Sequence, residues 1–249
     1  DNGGPTKTLA LLPGSIAIDE GNNDICAAAI GVPNYGADGV DQRGVTRPHD
    51  GLCDIGAFEG EPGVATFSDV PSNHWAYTYI ERLYNAGITG GCSASPLMYC
   101  PDATVTRAQM AIFILRGING STYTPPAATG TVFADVPAGA FAADWIEQLA
   151  LEGITSGCGN GNYCPDATIT RAEMSIFLLR GEHGSAYTPP TATGTVFGDV
   201  PLGSFAVDWI EQLAFEGITS GCGSGNYCPN SSVTRAEMAV FLVRAFGLP

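Results

Sequence analysis

Apolar residues recur in the same order three times between Phe67 and Leu248, and each copy predicts two helices. In the first helix of a copy, an aromatic residue is followed by apolar residues at spacings of four, one and three, which form one stripe. The three stripes are Trp75, Tyr79, Ile80 and Leu83; Phe141, Trp145, Ile146 and Leu149; and Phe205, Trp209, Ile210 and Leu213. The aromatic residues could be sugar-stacking platforms, but aromatics at helical spacing are more often core, so we expect these side chains to be buried.

The second predicted helix of each copy is almost wholly apolar over 110–116, 174–180 and 238–244, which is typical of a helix buried at the centre of a bundle. The offset is 66 residues from Phe67 to Phe133 and 64 residues from Phe133 to Phe197. This period is longer than that of common solenoid repeats, which is about 20 to 50 residues. We therefore predict a mainly α fold in which three helix-loop-helix modules form a pseudo-threefold bundle.

A capping motif opens each second helix. A threonine is followed three residues later by Gln or Glu, a spacing that satisfies free amides at a helix start. The pairs are Thr106 with Gln109, Thr170 with Glu173, and Thr234 with Glu237.

An arginine follows each capping threonine: Arg107, Arg171 and Arg235. A cation in the first turn opposes the helix dipole, so capping does not explain it. A guanidinium suits carboxylate or phosphate groups, often through two parallel hydrogen bonds. Two roles stay open, namely a ligand-binding site and a salt bridge to an acid of a neighbouring module. The candidate acids for such a bridge are Asp69, Asp135 and Asp199.

Composition narrows the class of protein. The 249 residues are 45% hydrophobic, which is enough for a packed core, and no apolar run approaches the roughly 20 residues that span a bilayer. The net charge is −15 and Lys7 is the one lysine, which argues against nucleic acid or an anionic membrane as partner. We expect no membrane insertion. Because the chain opens at Asp1 rather than at methionine, we also expect that an upstream portion has been removed.

Chemical motifs of enzymes are missing from the sequence. Serines have no neighbouring histidine, the three histidines are scattered, and no phosphate-binding loop is found. We therefore expect neither catalysis, nor a metal site, nor a cofactor, while the acidity leaves calcium open as a bridging ion. Asn119 and Asn230 fit the N-glycosylation acceptor pattern.

The eight cysteines divide into local pairs, which predicts disulfides and an extracellular location. The pairs are Cys26 with Cys53, Cys92 with Cys100, Cys158 with Cys164, and Cys222 with Cys228. Zinc is disfavoured because five or seven residues lie between the paired cysteines of a module, which is not the usual knuckle spacing.

Residues 1 to about 61 are rich in Gly, Asp, Asn and Pro, and their short apolar runs predict three short strands. These runs are 8–12, 15–18 and 54–58. Three such strands bury little alone, so we expect them to complete a sheet begun elsewhere.

Two resemblances follow from these motifs. The Asp1–Thr8 stretch together with Cys53–Glu59 resembles the closing stretch of bacterial secreted right-handed β-helix proteins. The Phe-x-Asp-Val motif, the aromatic helix, Gly-Ile and Thr-Arg-Ala-Glu resemble the S-layer homology module, with Gln109 as a departure. The implied organisation is a β-helix end piece at 1–62, modules at 63–117, 133–180 and 197–249, and linkers at 118–132 and 181–196.

The resemblance implies a cell-surface anchor that binds cell-wall polysaccharide or a peptidoglycan-associated glycan in grooves between modules. It also implies that the three motif arginines contribute to these grooves. A second hypothesis is a self-assembling subunit of an S-layer, sheath or filament, because an open strand edge at the N-terminal segment would pair with another chain.

Overall fold

The computed structural model describes residues 1–11, 15, 17–18, 21–27, 38–48, 53–59 and 65–248. The chain divides into two compact units, one formed by Asp1–Asn85 with Gly91–Tyr99 and the other by Ala86–Gly90 with Cys100–Leu248. The first unit contains α1 (Asn23–Ala27), α2 (Tyr77–Asn85) and a hairpin of β1 (Ser93–Ala94) and β2 (Leu97–Met98). The second contains α3 (Arg107–Asn119), α4 (Ala143–Leu151), α5 (Arg171–His183), α6 (Val207–Phe215) and α7 (Arg235–Phe246). The described residues are mainly helical, as predicted.

Helices α3, α5 and α7 form the centre of the second unit, where each contacts the other two. The segments that lead into them are tied in a ring, because Val105 donates its amide to Val233, Val233 to Ile169, and Ile169 to Val105, at 2.9 to 3.0 Å. A closed ring of three backbone hydrogen bonds requires three segments of chain in equivalent positions. In this unit, the three central helices and the ring of hydrogen bonds ahead of them have the arrangement expected of a pseudo-threefold bundle.

The outer helices pack on a neighbour's helix. Helix α4 of the second module lies against α3 of the first, and α6 of the third lies against α5 of the second. Their apolar stripes are fully buried at Ile146, Leu149, Ile210 and Leu213. The sequence repeat and the packing unit are therefore offset by one helix, which the periodicity of apolar residues alone does not indicate.

The first aromatic residue of each predicted stripe is exposed, so the prediction that it is core is wrong. Trp75 is 62% exposed, and Phe141 and Phe205 are each 66% exposed. The reason is the position of the helix start: α2, α4 and α6 begin two residues after these aromatics, so the aromatics lie outside the helical stripe. Ala142 and Ala206, which stand between, have left-handed backbone angles (φ 59°).

The described part of the N-terminal segment contains α1 and two isolated bridges, Gly21 with Cys53 and Val40 with Thr46. No strand is found at residues 8–11, 15, 17–18 or 54–58, so the strands predicted there are wrong for these residues. The segment forms single backbone contacts instead of a ladder, such as the 2.8 Å bond from Ile55 to Ala17. Leu12, Ile16 and the predicted boundary at 62 and 63 lie outside the described residues.

Candidate functional site

The starts of the three central helices are closed by backbone from the next module. The amides of Arg107 and Ala108 donate to carbonyls of the loop ahead of α5, at 2.9 and 3.0 Å, and those of Arg171 and Ala172 donate to the loop ahead of α7. The capping threonine accepts from the third amide, and the full capping box predicted at each helix is present. Because free amides make a helix start attractive to anions, these starts have little capacity left for an anionic ligand.

The guanidinium groups of Arg107 and Arg171 are buried between modules, and each arginine is only 3% exposed. Arg107 donates from Nε to the Tyr163 carbonyl at 2.8 Å and from Nη1 to Glu173 at 3.0 Å. Arg171 repeats both bonds, to the Tyr227 carbonyl at 2.8 Å and to Glu237 at 2.6 Å. It makes a further 3.2 Å bond to the Gly221 carbonyl. Both guanidiniums are thus used in contacts to the following module.

The tyrosines return the contact. The Tyr163 hydroxyl donates to the Arg107 carbonyl at 2.7 Å, and the Tyr227 hydroxyl donates to the Arg171 carbonyl at 2.8 Å. Burial raises the pKa of both phenols, so both remain protonated donors at ordinary pH. We call each pair of reciprocal bonds an arginine-tyrosine clasp. A clasp fixes the last turn of one module's loop against the first turn of the previous module's central helix.

The capping glutamates serve two purposes at once. Oε2 of Glu173 accepts from the Thr170 amide at 2.9 Å, while Oε1 accepts from Arg107. Glu237 divides its oxygens in the same way. For Arg107 and Arg171 the salt bridge considered from the sequence is therefore present, and its acids are Glu173 and Glu237.

The first module differs from the other two at the glutamate position. Gln109 stands where the other modules have glutamate, and its amide oxygen accepts from the Thr106 amide at 3.2 Å. A carboxylate offers two acceptor oxygens, whereas an amide offers one oxygen and an NH₂ donor. Arg235 is also buried, at 5% exposed, and its guanidinium lies 5.8 Å from the centre of the Phe113 ring.

The aspartates of the Phe-x-Asp-Val motifs hold the cysteine loops. Asp135 accepts from the amides of Tyr163 and Cys164 at 2.8 and 2.7 Å, and Asp199 makes the same two contacts in the third module. Burial raises the pKa of the Asp135 carboxyl, but these hydrogen bonds and the Arg107 charge outweigh it and leave the pKa below its usual value. The aspartate therefore shapes the loop whose tyrosine enters the clasp.

One known family matches the chain in three segments, one in each repeated module. The family model of the S-layer homology domain matches residues 66–94, 132–175 and 196–239. Three segments of the chain are thus similar to the S-layer homology domain. In the first, the match ends ahead of α3, so the central helix of that module lies beyond it.

Relatives of the S-layer homology segments include enzymes and surface proteins. An amylopullulanase of Thermoanaerobacterium thermosulfurigenes is 33% identical over 181 residues, 71% of this chain and 9% of the relative. The exoglucanase XynX of Acetivibrio thermocellus is 32% identical over 179 residues, 71% of this chain and 16% of the relative. A surface layer protein of Brevibacillus choshinensis is 28% identical over 102 residues, 41% of this chain and 9% of the relative. The aligned region thus spans less than a fifth of each of these relatives.

The similarity to the S-layer homology domain, together with relatives that are surface proteins, indicates an extracellular protein of the cell surface. Within the described ranges, no helix combines the length and apolar character needed to cross a membrane. All eight cysteines are disulfide-bonded, as predicted. The bonds include Cys26 with Cys53, Cys158 with Cys164, and Cys222 with Cys228. The two glycosylation candidates, Asn119 and Asn230, are both exposed, and glycosylation stays a prediction.

One repeated acid of the S-layer homology modules was missed by the sequence reasoning. Glu147 accepts hydrogen bonds from the amides of Thr129, Gly130 and Thr131 at 2.7 to 3.2 Å, and so holds the linker against α4. Glu211 does the same for the following linker, and Glu81 accepts from Thr66. The available signal was an acid directly after the buried isoleucine in all three copies. This sequence signal does not indicate which loop the acid binds.

Proposed function

We propose that this chain is a non-covalent anchor that holds a larger secreted protein to cell-wall glycan through its S-layer homology modules. The segment shared with this chain occurs in relatives whose names describe different roles, an amylopullulanase, an exoglucanase and a surface layer protein. Two of these names describe enzymes, whereas the name of the surface layer protein describes no reaction. Attachment to the cell surface is a role that all of them could share, so we favour binding over catalysis for this chain.

The observation that carries the proposal is the set of exposed aromatics at one repeat position. Trp75, Phe141 and Phe205 are 62% to 66% exposed, although large apolar side chains are usually buried. In the second and third modules, a left-handed alanine follows each aromatic and displaces it from the helical stripe. Strained backbone is often retained where function needs it. An exposed aromatic ring offers a flat apolar face, which suits the apolar face of a sugar ring.

The motif arginines take an indirect part in this proposal. Arg107 and Arg171 are 3% exposed and already bonded to the following module, so we assign them as positioning residues that keep neighbouring modules in register. The glutamate partners are more accessible, with side chains that are 32% exposed at Glu173 and 26% exposed at Glu237. The grooves are thus proposed to be shaped by the clasps, while the aromatics supply contact with glycan.

The test is retention of purified protein on purified cell-wall sacculi that keep their attached polysaccharide. We expect the double variant Phe141→Ala, Phe205→Ala to lose at least tenfold in retention. Its stability should change little, because exposed rings contribute little burial. The matched control is Leu151→Ala, Phe215→Ala, which removes apolar side chains that are 80% and 86% exposed at the other ends of the same helices.

Equal loss in both double variants would indicate nonspecific adhesion, and unchanged retention of Phe141→Ala, Phe205→Ala would contradict a role for the aromatics. Arg171→Lys separates positioning from direct contact, because lysine keeps the charge but not the planar fork. If Arg171 only positions modules, retention should fall in proportion to the loss of folded protein. A fall in retention at full stability would instead assign it a direct contact.

The alternative of a self-assembling S-layer, sheath or filament subunit was based on an open strand edge in the N-terminal segment and on an acidity suited to calcium bridging. The described residues of that segment form no strand at 8–11 or 54–58, so the first of these grounds does not support the polymer. That residues 1–62 close a β-helix is a proposal supported by the sequence resemblance. Circular dichroism and electron microscopy of the purified full-length protein would test it.

A further inference from the structure

We propose that Glu182, His183 and Glu216 form a binding site for a divalent transition-metal ion such as Zn²⁺. The three side chains come from two modules, since Glu182 and His183 end α5 and Glu216 directly follows α6. One ligand atom from each residue lies within 4.8 Å of the others. The site has no part in the glycan-binding proposal above.

The chemistry of the donors fits such an ion. One imidazole nitrogen and two carboxylate oxygens are a donor set used for zinc, with water completing four-fold coordination. Nε2 of His183 lies 3.0 Å from a Glu216 oxygen and 4.0 Å from a Glu182 oxygen. The same nitrogen would turn to the ion. Two carboxylates on one imidazole give a net negative cluster that a divalent cation neutralises.

Neighbouring contacts hold the donors in place. Gln212 donates to Oε1 of Glu216 at 2.6 Å, and the His183 ring lies against Tyr187 with 4.3 Å between ring centres. Such outer contacts orient ligands at metal sites. The side chains of His183, Glu182 and Glu216 are 32%, 31% and 17% exposed, so an ion and its waters can enter from solvent.

The preceding pair of modules provides an internal comparison. Ile118 and Asn119 occupy the positions of Glu182 and His183, and only Glu152 matches its counterpart, Glu216. Glu152 also accepts from a glutamine, Gln148, at 2.8 Å. Helix α4 packs on α3 and α6 packs on α5, while the donor set occurs in one of these two pairs. The difference shows that packing of these helices does not require the triad.

The experiment is titration of untagged, fully oxidised protein with ZnCl₂ by calorimetry and with CoCl₂ by visible absorption at pH 7.5. Absence of free thiols is verified first, because reduced cysteines would bind zinc themselves. We expect one ion per chain, and a d–d absorption band for Co²⁺ that reports low coordination number. The variants His183→Asn and Glu216→Gln should each weaken binding at least tenfold. Glu152→Gln, the matched control, should leave the affinity unchanged.

Circular dichroism of each variant establishes that it is folded. The proposal is overturned if neither Zn²⁺ nor Co²⁺ binds, in which case the triad is a hydrogen-bonded cluster only. It is also overturned if folded His183→Asn binds as tightly as the parent protein, or if Glu152→Gln weakens binding as much as Glu216→Gln. Retention on cell-wall sacculi is measured separately, so failure of the metal site would leave the glycan proposal standing.

Discussion

Replacement of Arg171 by methionine should destabilise the second unit by about 3 kcal/mol. The change keeps the apolar stem beside the rings of Tyr227 and Phe241, whose centres lie 4.9 and 5.3 Å from the guanidinium carbon. It removes three hydrogen bonds, to Tyr227, Glu237 and Gly221. Removing one partner of a buried ion pair costs about 3 to 5 kcal/mol. The Glu237 side chain is 26% exposed and can be rehydrated, which places the cost at the lower end.

Arg107→Met should cost less, about 2 kcal/mol. Arg107 has two side-chain bonds where Arg171 has three, and the glutamate left behind is more exposed, at 32%. Glu237→Gln keeps a neutral acceptor and should cost about 1 kcal/mol. The order of the three variants is therefore a stricter test than any single value.

The assay is urea unfolding of oxidised protein followed by tryptophan fluorescence. Trp145 and Trp209 are half-buried in the second unit, whereas Trp75 is 62% exposed and changes little on unfolding. With a slope of about 2 kcal/mol per molar urea, the midpoints should fall by about 1.5 M for Arg171→Met and about 1 M for Arg107→Met. A fall below about 0.3 M for Arg171→Met would refute the clasp as a major stabilising contact, as would the reverse order.

Three further predictions concern the left-handed alanines, the pH dependence of stability, and Gln109, which replaces the glutamate of the other modules. Ala142→Gly and Ala206→Gly should each stabilise the second unit by about 0.5 kcal/mol in the same urea assay. Glycine relieves left-handed strain of about 1 to 2 kcal/mol, but it also adds unfolded-state entropy. A loss of stability would mean that contacts of the alanine methyl outweigh the relief of strain. Burial raises the pKa of Glu147 and Glu211, but hydrogen bonds from the linkers leave both below the usual 4.5. Their stabilising effect is present above that value and is lost as pH falls through the lowered pKa. Glu147→Gln should therefore flatten the pH dependence of the unfolding free energy below about pH 4.5. An unchanged pH profile would contradict this prediction. Gln109→Glu should stabilise the second unit by about 0.5 to 1 kcal/mol, since it adds a negative charge to the first turn of α3 and matches the acid of the other modules. The gain in stability should be smaller in 1 M salt. A gain of the same size in 1 M salt would exclude an electrostatic cause.

The sequence by itself determined the helices, their caps and the repeat. Helix starts at Thr106, Thr170 and Thr234 follow from local chemistry, because a threonine side chain and a residue three positions later satisfy amides within reach. The buried isoleucines and leucines follow from spacing, since side chains three or four positions apart share one helix face. Cysteine pairs separated by few residues are likewise a local matter.

The tertiary structure decided which module each residue serves. Arg107 and Glu173 are 66 residues apart, and their contact exists because α3 and α5 pack together with their first turns in contact. From the sequence, a ligand site and a salt bridge were therefore equally good interpretations of the motif arginine. The packing of Arg107 and Arg171 against the following module identifies a salt bridge for these two. Exposure of Phe141 and Phe205 likewise depended on where the helix begins and on what packs beside it. Contacts between distant residues depend on the relative placement of helices, which a pattern within one helix does not contain.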